Sequence, residues 1–220
     1  MKKLVIFGQG DIAEVAHFYF THDSEYEVVA FTVDQEYRQQ LELLGLPVVS
    51  FEEVQTLYSP QEYDMFVAIG YKGLNRLREG KYHQAKAKGY RLATYLSSKA
   101  THWGDTQIGD NCFILEDITL QPFVTIGNNV VMWSGNHVGH HTTIGNHCFI
   151  TSHVVISGGV TVGDYSFIGV NATLRDHITI GPRCLIGAGT LILKSTQEGE
   201  VYMGQRTQAA EMRSDEIKNI

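Results

Sequence analysis

Residues 138–163 read VGHHTTIGNHCFITSHVVISGGVTVG, and an aliphatic residue returns at every sixth position of this stretch. The period continues in both directions, so that all fifteen such positions from Ile108 to Ile192 are aliphatic. The residue four places after each one is usually small or β-branched. A period of six is neither helical nor a simple alternation. It fits a short strand followed by a turn, with one large and one small side chain directed inwards.

Three such segments form one triangular coil of eighteen residues, and successive coils stack about 4.8 Å apart. Residues eighteen positions apart should then lie directly above one another. Cys112, Cys148 and Cys184 have this spacing, which predicts one interior column. A disulfide framework or a zinc site is therefore disfavoured, and a reducing cytoplasm is the expected compartment.

Residues 1–95 alternate between strand and helix patterns, which predicts a small Rossmann-like α/β domain with a parallel sheet. The predicted strands are Lys3–Phe7, Val28–Val33, Pro47–Ser50, Asp64–Ile69 and Arg91–Leu96, and the predicted helices are Ile12–Thr21, Glu52–Tyr58 and Leu74–Lys88. The expected domains are thus 1–95, a β-helix over 96–194 and a C-terminal cap over 195–220. In that cap, residues 211–213 are expected to close the open end of the β-helix.

The first predicted strand is followed by Gly8-Gln9-Gly10-Asp11-Ile12-Ala13 and then by a helix. Such a turn lets backbone amides approach a phosphate at the helix N-terminus. Asp34 ends the second strand, where a carboxylate could hydrogen-bond a ribose. The same motif is equally typical of a glycine turn that only packs a helix onto a sheet, without binding a phosphate. A dinucleotide would need a larger domain, so a redox role is disfavoured.

The composition limits the partners of the chain. The formal net charge of −7 disfavours binding to nucleic acid or to an anionic membrane. The apolar run near the N-terminus is too short for a signal peptide, and no stretch approaches the length of a membrane span.

The hexads resemble those of the hexapeptide-repeat acyltransferases, whose coils form a left-handed parallel β-helix. Together with the N-terminal module, the chain resembles the two-domain acetyltransferases of bacterial glycan pathways, which N-acetylate nucleotide sugars or O-acetylate sialic acids. The resemblance implies acetyl-CoA as co-substrate, no metal, and a homotrimer with active sites between neighbouring β-helices. It places contacts to the substrate nucleotide at Gly8, Gly10, Asp11, Asp34 and Gly70.

Six of the ten histidines lie between positions 137 and 177, where a general base is expected because histidine titrates near neutrality. The family motif His-x-x-x-Ile-Gly places the base at His140. The glycine whose N–H faces the thioester carbonyl in the family corresponds to Gly158. The family commonly has an acidic residue after the base, but His141 stands here and is an alternative base. Gly187, Lys194 and Arg206 are the expected CoA contacts: the two cations could meet the CoA phosphates or could be solvated surface charges, and the Gly-x-Pro-Ala turn common in the family reads Gly204-Gln205-Arg206-Thr207 here.

The predicted function is acetyl-CoA-dependent N-acetylation of a nucleotide-linked amino sugar. The alternatives are O-acetylation of a sugar, which needs the same groups, and a non-catalytic nucleotide-binding scaffold. A γ-class carbonic anhydrase has the same kind of β-helix but needs two histidines five positions apart. No two histidines of this β-helix have that spacing.

Overall fold

The computed structural model describes residues 2–211 and 213–216, and it contains an α/β unit followed by a parallel β-helix. Met212 and residues 217–220 of the predicted cap lie outside the described residues. The N-terminal elements are β1 Lys2–Phe7, α1 Asp11–His22, β2 Tyr26–Val33, a 3₁₀ turn Gln35–Tyr37, β3 Glu42–Leu43, β4 Leu46–Ser50, α2 Val54–Leu57, β5 Tyr63–Val67 and α3 Arg76–Ala87.

The N-terminal sheet has the strand order β3-β4-β2-β1-β5 and is parallel except for the pair β3 and β4. Residues 4–7 of β1 are buried, as expected for a central strand that is covered on both faces. The short β3 was not predicted. It forms a hairpin with β4 through Leu44 and Gly45, whose φ angles of 52° and 78° suit a two-residue turn.

The strand predicted over Arg91–Leu96 is divided between two sheets. Leu92 forms an isolated parallel bridge with Met65 of β5. The strand β6 Tyr95–Leu96 pairs instead with the first full coil of the β-helix. The chain therefore passes directly from one sheet into the other, and the strand pattern of the sequence covers both parts.

The β-helix continues from β6 in three parallel sheets, which confirms the predicted fold class. One sheet contains β7 Gln107–Ile108, β10 Thr125–Ile126, β13 Thr143–Ile144, β16 Thr161–Val162 and β19 Thr179–Ile180. The second contains β6, β8 Phe113–Ile114, β11 Val131–Met132, β14 Phe149–Ile150, β17 Phe167–Ile168, β20 Leu185–Ile186 and β22 Val201–Tyr202. The third contains β9 Thr119–Leu120, β12 His137–Val138, β15 Val155–Ile156, β18 Thr173–Leu174 and β21 Leu191–Ile192. No helix among the described residues is long and apolar enough to span a membrane.

The interior of the β-helix follows the predicted register of eighteen residues. Within the second sheet, Ile114, Met132 and Ile150 stack with no exposed surface. The three cysteines are free and buried, as the interior column predicts. Burial raises the pKa of Cys112 and Cys148 to about 12, so these thiols are protonated and unsuited to nucleophilic attack.

The second sheet is the face on which the N-terminal unit packs. Phe113, Val131 and Phe149 point outwards from it and join the core beneath α1 and β1. Between the two units lies Arg78 of α3, which is completely buried. Its guanidinium donates to the carbonyl oxygens of Gly70, Asn129, His147 and Cys148 at 2.9–3.3 Å.

Arg78 has no carboxylate partner among the described residues, and it lies 5.5 Å from the ring centroid of Phe149. Burial lowers its pKa to about 10, which still leaves the group charged at neutral pH. Carbonyl dipoles from both units therefore replace water around one buried cation. This arrangement fixes α3 against the β-helix.

We predict that Arg78→Met lowers the free energy of unfolding by about 3 kcal/mol or more, because several buried carbonyl oxygens lose their donor. Urea unfolding followed by circular dichroism measures this. The matched control is Arg76→Met on the same helix, where the side chain is exposed and little change is expected. Equal midpoints for the two variants would refute the role of Arg78.

Candidate functional site

His140 lies at the corner between β12 and β13, which we call the His140 corner and define as residues 139–142 with the equivalent residues of neighbouring coils. The His140 ring covers Gly158 of the next coil. A Cβ atom at position 158 would lie only 2.7 Å from Nε2 of His140. The predicted stacking of these residues is therefore present, and only glycine at 158 leaves space for the ring.

The N–H of Gly158 is an open donor beside this ring. At a different corner, the amides of Asp110, Asn128 and Asn146 each donate to a side chain eighteen positions later. At the His140 corner, the amide of His140 donates to Gln121. Within the described part of the chain, the amide of Gly158 has no such acceptor.

His140 and His141 form a direct contact through their Nδ1 atoms, which are 3.0 Å apart. Both side chains are exposed to solvent. His141 has a φ of 57°, and its ring packs on Phe123 of the preceding coil with centroids 4.6 Å apart. Because one Nδ1 must carry the shared proton, the two imidazoles cannot both accept through this atom.

The five residues predicted to contact a nucleotide all line one cavity of about 540 Å³. They are Gly8, Gly10, Asp11, Asp34 and Gly70. The cavity lies where β1, β2 and β5 end and α1 begins. Gly8 has a φ of 133°, and a Cβ there would meet the carbonyl oxygen of Ala68 at 2.8 Å. Glycine is thus required for this turn to approach the end of β5.

Lys81 of α3 is a cavity residue that the sequence reasoning missed. Its Nζ lies 2.6 Å from Oδ1 of Asp34, and both side chains are about 85% buried. The pair also lines an adjoining cleft of about 800 Å³. Nothing in the local sequence pairs Lys81 with Asp34, because the contact depends on how α3 packs across the sheet.

Gln9 provides a second polar group at this cavity. The side-chain nitrogen Nε2 of Gln9 donates to the carbonyl oxygen of Tyr37. The other terminal atom of the side chain is therefore the oxygen Oε1. This oxygen is buried and has no hydrogen-bond partner among the described residues. A ligand that offers a hydroxyl or N–H donor would satisfy it.

The residues predicted to contact CoA lie near the C-terminal end of the β-helix. Lys194 and Arg206 are exposed, and neither forms a salt bridge within the described residues. The N–H of Gly187 donates to the carbonyl oxygen of Tyr202, so this amide is already used inside the β-helix. The close contact with β22 explains the glycine, since a Cβ there would meet the same oxygen at 2.8 Å.

The cavity and His140 lie on different sides of one chain. The N-terminal unit contacts the second sheet and its two flanking corners, for example through Tyr19 to Glu116 and Tyr82 to Asp110. His140 lies on the third corner. No hydrogen bond or aromatic contact of the described residues links the N-terminal unit to residues 139–142.

Glu79, His83 and His147 form a cluster whose potential ligand atoms all lie within 4.8 Å of one another. A chain of hydrogen bonds determines the tautomer of His147. The N–H of Val67 donates to Asn111, which donates to Asn129, which in turn donates to Nδ1 of His147.

Because the first donor is a backbone amide, the direction of this chain is fixed. Nδ1 of His147 accepts, so the proton of the neutral ring lies on Nε2, and a metal ion would have to displace it. Burial lowers the pKa of His147, and the Arg78 guanidinium contributes in the same direction. The cluster is thus better suited to joining the two units than to holding a metal.

Two sequence profiles match the chain. The PglD N-terminal domain matches residues 3–85, and the bacterial transferase hexapeptide (six repeats) matches residues 105–138 and 159–194. Together they cover more than two thirds of the chain. Among curated protein sequences, none is significantly similar.

Several solved structures are similar over nearly the whole chain. The acetyltransferase domain of PglB from Neisseria gonorrhoeae is 26% identical with a TM-score of 0.83, covering 93% of this chain and 97% of that one. The same domain in complex with acetyl coenzyme A aligns with a TM-score of 0.82 at 24% identity, covering 92% and 96%. PerB from Caulobacter crescentus, in complex with CoA and GDP-perosamine, is 25% identical with a TM-score of 0.81, covering 93% and 95%.

The burial of His147 predicts a specific loss of stability in acid. Its folded pKa lies below the ordinary value of 6.5, so the unfolded chain takes up a proton first as the pH falls through that value. Stability contributed by neutral His147 is therefore complete above about pH 6.5 and declines below it. His147→Asn, which extends the asparagine chain, should lose less stability between about pH 7.5 and about pH 5.5 than the wild type.

Urea unfolding at the two pH values measures this difference. His153→Asn at an equivalent but exposed corner position is the control, and it should retain the wild-type dependence on pH. If His147→Asn also retains it, His147 does not contribute to the acid sensitivity.

Proposed function

Since the chain belongs to the hexapeptide-repeat acyltransferases that carry a PglD-type N-terminal domain, we propose that it transfers the acetyl group of acetyl-CoA to the amino group of a nucleotide-linked sugar. One similar solved structure of 26% identity is an acetyltransferase domain, and another of 25% identity is a protein bound to CoA and GDP-perosamine. The observation that carries the proposal is the His140 ring lying over Gly158, whose N–H has no acceptor among the described residues.

In the proposed reaction, the sugar amine attacks the thioester carbon directly. A C–N bond forms as the C–S bond breaks, and Nε2 of His140 takes a proton from the attacking nitrogen. The same proton passes to the departing thiolate, so the products are the acetamido sugar and free CoA. An acyl-enzyme is not needed, which agrees with the protonated, interior thiols of Cys112 and Cys148.

The open amide of Gly158 is suited to the negative charge that develops on the thioester oxygen. A donor that is already fixed in place loses no energy to reorganisation as the charge forms. One such donor is typically worth about 3–4 kcal/mol of transition-state stabilisation. Its position beside His140 allows proton transfer and charge stabilisation to act on the same carbonyl carbon.

The cavity at Gly8 and Asp34 is suited to the nucleotide. Helix α1 begins at this cavity, and the N-terminus of a helix is suited to binding a phosphate. Gln9 Oε1 and the Asp34–Lys81 pair supply an acceptor, a carboxylate and a cation for the ribose and the base. The net negative charge of the protein does not prevent this, because these groups act locally.

The separation of the cavity from His140 favours a site shared between subunits. If one chain cannot bring its own nucleotide cavity to its own base, a neighbouring copy has to supply one of them. We therefore propose a homotrimer in which each active site combines the nucleotide cavity of one subunit with the His140 corner of another.

We predict that His140→Ala lowers kcat by about 10²–10⁴-fold without loss of folding, because the amine loses its proton acceptor. Thiol release from acetyl-CoA, measured with nucleotide-linked amino sugars that differ in nucleotide and amino position, provides the rate. His153→Ala, an exposed histidine at another corner, is the control and should retain wild-type turnover.

Unchanged turnover in a folded His140→Ala variant would show that His140 is not the base. If the wild type releases thiol only with hydroxyl acceptors, O-acetylation replaces the proposed reaction. Absence of turnover with every acceptor would contradict the acetyltransferase proposal.

Mixed trimers test the shared site. Gly10→Trp is expected to occupy the cavity, since a Cβ at that position meets no atom of a non-adjacent residue within 4 Å and its φ of −105° suits any residue. His140→Ala and Gly10→Trp are each expected to be inactive. After subunit exchange at equal amounts, about one quarter of the sites should pair an intact cavity with an intact base, restoring about that share of activity.

Each variant alone, taken through the same exchange procedure, is the control and should remain inactive. If both groups belong to one subunit, the mixed trimers should remain as inactive as the separate variants. That result would contradict the shared site while leaving the reaction itself untouched.

A further inference from the structure

We propose that His141 is a positioning residue that accepts a hydrogen bond from Nδ1–H of His140 and so keeps Nε2 of His140 free of a proton. This inference rests on the proposed function, because it assigns His141 a part in the same reaction. His141 thus takes the place at which related enzymes commonly have an acidic residue.

The contact between the two rings allows two arrangements in the neutral pair. In the productive one, His140 donates through Nδ1 and its Nε2 is a bare acceptor. In the reverse one, His141 donates, Nε2 of His140 carries the proton, and the bare Nε2 belongs to His141. Only one ring of the pair can therefore act as a base at a time.

The surroundings of the two rings favour the productive arrangement for catalysis. The ring of His140 lies over Gly158 with Cε1 and Nε2 as its nearest atoms, and the amide of Gly158 has no acceptor among the described residues. The ring of His141 packs on Phe123, which offers no donor for an oxyanion. A base at His141 would thus stand apart from the group that stabilises the developing charge.

No other described residue is in place to orient His140. Gln121 on the preceding coil already accepts from the backbone amide of His140. Among the charged groups of the later coils at this corner, Asp176 pairs with Arg175 at 3.6 Å. His177 lies against Gly159, with its ring 2.5 Å from where a Cβ of Gly159 would lie.

A neutral imidazole differs from a carboxylate as an orienting group. Both accept the Nδ1–H of His140, but the imidazole does so without adding negative charge. When His140 takes the substrate proton, it becomes an imidazolium whose Nδ1–H still points at His141. A hydrogen bond to a charged group is stronger than one between neutral groups, so the contact should matter most at that stage.

Two variants separate this role from simple packing. His141→Phe retains an aromatic ring against Phe123 but has no acceptor, and His141→Asn retains an acceptor. Both residue types occur at equivalent corner positions of this chain with positive φ, as Phe123 at 67° and Asn129 at 57°. Each variant should therefore fold without new backbone strain.

We expect His141→Phe to lower kcat about 10- to 100-fold, with KM for both substrates within about twofold of the wild type. His141→Asn should recover most of this loss. Equal turnover of His141→Phe and wild type would overturn the inference, as would an inactive His141→Asn alongside an active His140→Ala, which would make His141 the base.

A spectroscopic readout tests the tautomer independently of turnover. In ¹⁵N-labelled wild-type protein at neutral pH, long-range ¹H–¹⁵N spectra should show His140 protonated at Nδ1, and in His141→Phe the Nε2–H tautomer should increase. Predominant Nε2–H in the wild type would overturn the inference. A wild type that shows the expected tautomer but no turnover would count against the proposed function alone.

Discussion

The register of eighteen residues is the constraint on which the rest of the structure depends. Each side chain of the β-helix has to fit directly between its equivalents in the coils below and above. In the interior, this produces columns such as Ile114, Met132 and Ile150. At the corners, it decides chemistry as well as packing. A ring at position 140 needs a glycine at position 158, and the amide of that glycine, which has no acceptor among the described residues, is the group we assign to the thioester oxygen.

The same register provides the attachment of the N-terminal unit. Asn111, Asn129 and His147 stack at one corner, and the hydrogen bonds that link them begin at the backbone of β5. Arg78 enters from α3 and bonds to carbonyl oxygens of the same column. This corner and the one that carries Glu116 thus join the two units, which leaves the His140 corner uncovered. The packing of the N-terminal unit on some corners and not on others explains why histidines at the same position of their hexads differ so much in burial.

The local patterns of the sequence predict those features that depend on neighbours in the chain or on the coil period. The hexads predict the β-helix, the interior cysteines and the stacking of His140 on Gly158. The glycine turn and the end of β2 predict Gly8, Gly10, Asp11 and Asp34 of one cavity, and the family resemblance adds Gly70. The sequence does not predict the contacts of Lys81, Arg78 and Gln9, because these contacts form only when α3 and the loops pack against elements that are distant in the chain. The strand at Arg91–Leu96 is divided for a related reason, since the sequence does not state where a chain leaves one sheet for another.

The proposed nucleotide cavity and the His140 corner can be substituted independently of each other. Because the nucleotide cavity and the His140 corner lie on separate faces, substitutions in one do not disturb the packing of the other. The Asp34–Lys81 pair can vary with the nucleotide while the corner retains its acyl-transfer chemistry. Conversely, the replacement of an acidic residue by His141 requires only that the corner still supplies an acceptor for Nδ1–H of His140. The solenoid tolerates this exchange because the fourth position of the hexads adopts positive φ with several residue types, and histidine does so here at four of these positions, 141, 147, 153 and 177.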